Sequence, residues 1–260
     1  MLNYRGSAVA LGSNIFGGGA FKGKVAALRV YTEALDATTV VSDFEVLAPL
    51  YLEAPETIPS LMAWYDASQT ATVTTSGPQV TNWADRSMNS HDLAENTPSI
   101  GAITVNTAVS PTGLDAIHFD GTSQNFLVSH ISGFIGSAFA VYRYDGGATF
   151  TEADGVYSGS ATSPIYGNTG TSNLGSNFGS RRINGANTIV HGDIQVFNQA
   201  STVSNSGTAF TRSHRVGNYR TSNNRAWHGD IAEVIIFSEE LTASQRLRIE
   251  AYQKNKWGTP

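Results

Sequence analysis

Trp227-His228-Gly229-Asp230-Ile231-Ala232-Glu233-Val234-Ile235-Ile236-Phe237 sets a glycine before a β-branched, aromatic-flanked run. Such a run can line both faces of a strand, so it predicts a strand buried on both sides within a packed sheet. A short helix is expected next. Thr242-x-x-Gln245 reads as a capping box, in which hydroxyl and amide satisfy the free N–H groups of a first turn. Ala243, Leu247 and Ala251 recur at four-residue spacing, and Gly258 can end the segment.

A related stretch lies near the start of the chain. Phe21-Lys22-Gly23-Lys24-Val25-Ala26-Ala27-Leu28-Arg29-Val30-Tyr31-Thr32-Glu33-Ala34-Leu35 matches residues 227–241 at a shift of 206, which is 227 minus 21. Aromatic meets aromatic, glycine meets glycine, and Glu33 and Leu35 meet Glu239 and Leu241. With one residue gapped, Leu11-Gly12 aligns with Val216-Gly217. Asp36 is then the expected cap of the first copy's helix, with Val40 and Phe44 facing inward.

Between the copies, residues 61–66, 117–119, 126–128, 139–144, 188–190, 194–197 and 231–237 are short β-type runs separated by Gly, Asn and Ser clusters. Asn184-Gly185 is a hairpin-turn signal. This density of short strands predicts an all-β sandwich or jelly roll. Composition agrees: 26 glycines and only 14% charged residues favour strands and turns over long helices.

With 16 Lys and Arg against 21 Asp and Glu, the net charge of −5 argues against a nucleic-acid partner. Arg181-Arg182 is the only adjacent basic pair. Zero cysteines exclude disulfides, thiolate catalysis and Cys-ligated zinc. The opening residues lack a signal-peptide pattern, and no segment approaches the roughly 18 apolar residues of a membrane span. An extracellular role would then require release without a visible export signal, as in lysis that frees virus particles.

Leu61-Met62-Ala63-Trp64-Tyr65-Asp66-Ala67-Ser68, Val80-Thr81-Asn82-Trp83-Ala84-Asp85-Arg86-Ser87, Ala116-Ile117-His118-Phe119-Asp120-Gly121 and the closing piece from Trp227 to Gly258 occur in this order. Together they resemble the concanavalin A-like, laminin-G-like jelly-roll domains of phage virion proteins and bacterial surface proteins. The resemblance covers residues 61–258 and implies a complete jelly-roll β-sandwich with a short C-terminal helix over residues 61–260. Residues 1–50 look like the closing strands and helix of a partial second copy, and the Pro-containing stretch 51–60 reads as a linker. Two readings of the first copy stay open: it packs on the main domain or another subunit, giving a homo-oligomer or assembly component, or the chain is a piece of a longer protein.

The resemblance implies a virion-surface structural or adhesion protein, a fibre or capsid decoration, whose partners are a cell-surface glycan and other virion subunits. Tyr157, Tyr166, Phe178, Arg181, Arg182, Asn184, Tyr219 and Arg220 supply aromatic faces and hydrogen-bonding groups on Gly/Ser/Asn-rich segments, and are the candidate carbohydrate-binding residues. Trp64, Trp83, Trp227 and Trp257 sit in the fold-defining motifs and are assigned to the core. Asp85, Asn89 and Asp92 form an oxygen-rich group that could hold calcium, although the spacing is not that of an EF-hand.

No catalytic residues are expected. Glycoside hydrolases with this sandwich carry clustered acids in a Glu-x-Asp-x-x-Glu pattern; Glu152-Ala153-Asp154-Gly155-Val156-Tyr157 puts tyrosine at the third acid. The Gly-x-Ser-x-Gly elbow is absent, and the six histidines lack zinc-motif spacing. The alternatives are a polysaccharide-degrading enzyme, its sugar-binding accessory module, or a bacterial surface adhesin.

Overall fold

A computed structural model of the chain describes residues 31–39, 55–96, 103–121, 127–129, 131, 133–151, 154–158, 164–175, 179–210, 214–219 and 225–260, with backbone alone for 204–210. The chain divides into two compact units, Met1–Leu47 and Ala48–Pro260.

In the first unit, Asp36 begins a helical turn, and the Thr39 N–H donates to its Oδ1 at 2.7 Å. That hydrogen bond to the carboxylate holds the Asp36 pKa below the ordinary value. In the second unit Gln245 N–H donates to Thr242 Oγ1 at 3.3 Å. Both pairs, 36 with 39 and 242 with 245, are 206 residues apart, so the repeat shift superimposes cap on cap. The first copy's strand and the inward positions Val40 and Phe44 lie outside the described residues.

The second unit is an all-β sandwich with one helix on its outside. Its strands begin with β1 (Leu61–Asp66), β2 (Val73–Ser76), β3 (Gln79–Trp83), β4 (Leu93–Glu95) and β5 (Ile103–Asn106). Next come β6 (Ala116–Asp120), β7 (Leu127–Ser129), β8 (Gly133–Tyr144), β9 (Gly155–Ser158) and β10 (Ile165–Gly167). The series closes with β11 (Leu174–Gly175), β12 (Ser180–Ile183), β13 (Asn198–Phe210), β14 (His214–Val216), β15 (His228–Phe237) and the helix α1 (Ala243–Trp257). One sheet runs β12-β13-β8-β15-β6-β5, with β1 also paired to β15; the other runs β11-β10-β9-β14-β7-β4-β3-β2. The described pairings are antiparallel.

Strand β15 is central and buried on both faces, as its composition predicts. Val234 and Ile236 join Tyr142, Tyr144, Ile117 and Phe119 in the core facing Trp83, Leu127, Tyr157 and Val216 of the second sheet. Ile235 and Phe237 point outward into a second cluster with Trp64, Phe139 and Ile249, under α1. Gly229 has φ +137°, and a Cβ there would lie 2.2 Å from the Arg143 carbonyl. Only glycine lets β15 start that close to β8. Trp227 is fully buried, with the Tyr142 and Tyr144 rings each 5.3 Å away edge-on.

Three sequence expectations change. Residues 188–190 and 194–197 form turns and an isolated bridge instead of strands. Residues 55–60, read as linker, fold as turns onto the sandwich, with Ile58 3% exposed in the outer cluster. The apolar spacing of α1 does not mark its inward face: Leu247 is 47% exposed, while Arg246, Ile249, Glu250, Gln253 and Trp257 are buried. The reason is the strand beneath. Polar β13 donates from Gln199 Nε2 to the Glu250 carbonyl at 2.8 Å and from Ser201 Oγ to Glu250 Oε1 at 2.6 Å. The helix therefore docks through hydrogen bonds there, and its capping box and left-handed Gly258 cap set its ends. Among the described residues no helix is long and apolar enough to cross a membrane.

Two histidines are built into the core as neutral acceptors. Tyr157 Oη lies 2.6 Å from His214 Nδ1, and Tyr142 Oη 2.7 Å from His191 Nε2. Burial lowers the pKa of both, to about 4 for His214. A histidine with a depressed folded pKa supports folding fully above its unfolded value near 6.5 and loses that contribution as pH falls toward 4. For His214 the loss is roughly 3 kcal/mol across the window. Urea unfolding from pH 7 to pH 4 should show falling stability, with a shallower slope in His214→Gln; an unchanged slope in that variant would refute the assignment.

Candidate functional site

Of the aromatic residues proposed for sugar contact, Tyr157, Tyr166 and Tyr219 are committed to packing. Tyr157 is fully buried between the sheets, so its assignment to a glycan surface is corrected to core. Its ring stacks on His214, and burial raises its phenol well above the usual range. Tyr166 and Tyr219 do meet, with centroids 4.7 Å apart, but Tyr219 is 6% exposed and Arg225 lies 5.1 Å from its ring centroid. Tyr166 covers Gly175 so closely that a Cβ there would lie 2.2 Å from its ring. Phe178 and Arg220 lie outside the described residues.

Arg181, Arg182 and Asn184 are brought together on one hairpin at the sheet edge. Asn184 and Gly185 both have positive φ, +49° and +76°, the geometry of a tight hairpin turn. Asn tolerates this conformation and glycine adopts it freely. The Asn184 side chain also fixes the turn to β13, donating from Nδ2 to Asn198 Oδ1 at 2.9 Å and accepting from Gln199 N–H at 2.8 Å. Arg182 faces α1 and pairs with Glu250 at 3.1 Å. Its guanidinium also donates to the Gly185 carbonyl. Both residues thus hold the hairpin in place.

Arg181 takes the other face. It lines an open cleft of about 520 Å³ with Gly179, Ser180, Asn187, Thr188 and Ile189. A smaller hollow of about 360 Å³ lies on the helix side, between Arg182, Gln199, Leu247, Glu250 and Lys254. Asn187 and Thr188 were missed in the sequence because Thr188 heads a run that reads as strand. The Asn184-Gly185 turn signal was the available pointer to its neighbours.

The acidic candidates resolve into structural roles. Asp85 Oδ1 accepts from Trp64 N–H at 2.9 Å and Ser87 N–H at 2.8 Å; Oδ2 accepts from Ser87 Oγ at 2.7 Å and His91 N–H at 3.1 Å. Asn89 Nδ2 donates to the Leu61 and Met62 carbonyls at 3.0 Å, and Asp92 Oδ1 accepts from Asp85 N–H at 2.8 Å. These residues close the edge of β1 that faces away from β15, doing with side chains what a neighbouring strand would do. The calcium expectation is replaced by that edge-closing role, since the polar atoms of Asp85 are already satisfied by the loop.

Among the described residues, His118, Asp145 and Asp230 form the grouping whose ligand atoms lie close enough for a metal. Arg143 already supplies the cation there, 2.5 Å from Asp230 and 3.2 Å from Asp145. Asp230, with His118 and Asn106 each bonded at 3.1 Å, carries a lowered pKa, because these donors and Arg143 outweigh its burial. Asp154 is 3% exposed, and Glu152 lies outside the described residues.

No protein-family model and no curated protein matches the chain. Among solved structures it is similar to domain 4 of AbnA, an extracellular GH43 arabinanase from Geobacillus stearothermophilus, in complex with arabinotriose. Identity is 13% and the TM-score 0.44, over 74% of this chain and 98% of that one. The two-sheet assignment rests on the strand pairing described above.

If the β1 edge is closed by the loop itself, Asp85→Ala should cost about 1–3 kcal/mol in chemical denaturation, as several donors lose their acceptor. Calcium and chelator should leave the melting temperature of the parent protein unchanged. A calcium-dependent rise would restore the metal reading.

Proposed function

We propose that the second unit is a carbohydrate-binding β-sandwich module that binds without cleaving. The observation that carries this reading is the edge hairpin: it is fastened by Asn184 to β13 and by Arg182 to α1, yet turns Arg181, Asn187 and Thr188 toward an open cleft. Rigid scaffolds that present hydrogen-bonding side chains beside a concavity suit ligand recognition. Arg can donate in a fork, Asn can donate and accept, and Thr can do both through one hydroxyl, which matches the alternating groups of a sugar ring.

The acid pattern supports binding without cleavage. Glycoside hydrolysis uses two carboxyl groups flanking the bond. Tyr157 stands where a third clustered acid would stand and is spent on the core. The finer assignment, display on a virus particle as a fibre or capsid decoration, is supported by the sequence resemblance; immunogold labelling of particles tests it.

Calorimetric titration against a panel of arabino-, gluco- and uronate oligosaccharides should find a binder, and Asn187→Ala should weaken it by about tenfold at unchanged melting temperature. No new reducing ends should appear on prolonged incubation. Silence across the panel would overturn the binding reading, and released ends would overturn its non-enzymatic part.

A further inference from the structure

The same cleft indicates which saccharide it takes, and the argument rests on the binding reading above. Along β12 the side chains alternate. Ser180 and Arg182 face α1, where Ser180 Oγ accepts from Arg246 at 2.7 Å and Arg182 pairs with Glu250. Ile183 faces the core at 2% exposure, and Arg181 shares that face nearer the rim. From there its guanidinium reaches across the mouth of the sandwich to the Leu174 carbonyl of β11, the edge strand of the other sheet, at 3.4 Å.

Arginines in this chain fall into two groups: among the described residues Arg225 lies over the Tyr219 ring and Arg248 near Thr57 without a carboxylate, and Arg181 belongs with them. Arg86, Arg143, Arg182 and Arg246 each lie against a carboxylate. Among the described residues Arg181 has none, and no acidic side chain lines its cleft. A guanidinium pairs with a planar carboxylate through two parallel charge-assisted hydrogen bonds, stronger than neutral ones.

Among the described residues, the cleft lining differs from the aromatic platform that suits neutral sugars. Their apolar ring face is commonly held on an exposed aromatic, and among the described residues no aromatic side chain lines this cleft. All four tryptophans are at most 2% exposed. Ile189 offers a modest apolar contact, and Thr188 Oγ1, which accepts from Val190 N–H at 3.1 Å, keeps its proton to donate. The described lining offers charge and hydrogen bonds rather than a stacking face. We infer that the Arg181 cleft binds acidic saccharides, with a uronate carboxylate forked by Arg181 and ring hydroxyls bonded by Asn187 and Thr188.

The test is calorimetric titration of the intact chain with oligogalacturonates, a matched neutral gluco-oligosaccharide series and a sulfated oligosaccharide. The uronates should bind most tightly and more weakly as salt rises. Arg181→Gln should reduce that affinity by about tenfold or more, and Arg181→Lys by less, since it keeps charge without the fork. Melting curves should coincide for all three proteins. Binding of neutral series alone, of the sulfated sugar alone, or a uronate affinity unmoved by Arg181→Gln would overturn this inference while leaving carbohydrate binding intact. No binding of any series would overturn both.

Discussion

A buried carboxylate organises the outer face of this sandwich. Glu233, fully buried on β15, accepts from Trp64 Nε1 at 3.0 Å, Tyr252 Oη at 2.9 Å and Lys256 Nζ at 2.9 Å on one oxygen, and from Trp257 Nε1 at 3.0 Å on the other. Lys256 also reaches Asp66 at 2.6 Å, and Arg86 pairs with Asp66 while its guanidinium lies 3.7 Å from the Trp64 ring centroid. Two carboxylates and two cations thus neutralise one another. A buried charge is tolerable only when paired and hydrogen-bonded, so this arrangement forces β1, β15 and the end of α1 into one geometry.

That constraint reaches the candidate site through the helix. The last turns of α1 are fixed at Glu233, while its middle carries Glu250, which accepts from Ser201 and pairs with Arg182 and Arg246. The hairpin bearing Arg181 is therefore braced by a helix whose own position is set elsewhere. Two exposed edges in the first sheet, those of β1 and β12, are treated differently. At β1 the 85–91 loop consumes the free backbone groups, whereas at β12 the hairpin leaves a cleft open.

Legibility in the sequence followed the apolar signal. Strand β1 and the core of β15 were visible because their large residues fill both faces, and the Thr242 cap, the Asp36 cap and the Asn184-Gly185 turn were visible because their chemistry is local. Strand β13 was not, although it is paired on both sides, to β12 and β8. Its Asn198, Gln199, Ser201 and Thr202 look like loop residues and are buried only because α1 and the Asn184 turn satisfy several of them. The same mechanism hid the inward face of the helix.

At the site, Arg181, Arg182 and Asn184 were recognisable as neighbours of a turn, but their different tasks follow from strand alternation and packing, which the sequence does not show. Tyr157 was misjudged because its Gly-rich flanks suggest a loop, while its partner His214 lies 57 residues away. Asp85 looked like a ligand because the strand edge it seals is 21 residues distant.

Amide hydrogen exchange and urea unfolding of Glu233→Ala measure the central constraint directly. Removing the shared acceptor leaves two indoles, a phenol and an ammonium without it, so the variant should lose about 3–5 kcal/mol. Exchange should accelerate through α1 and onward into the β12 hairpin. Stability within about 0.5 kcal/mol of the parent, with α1 equally protected, would contradict the view that this carboxylate holds the outer face together.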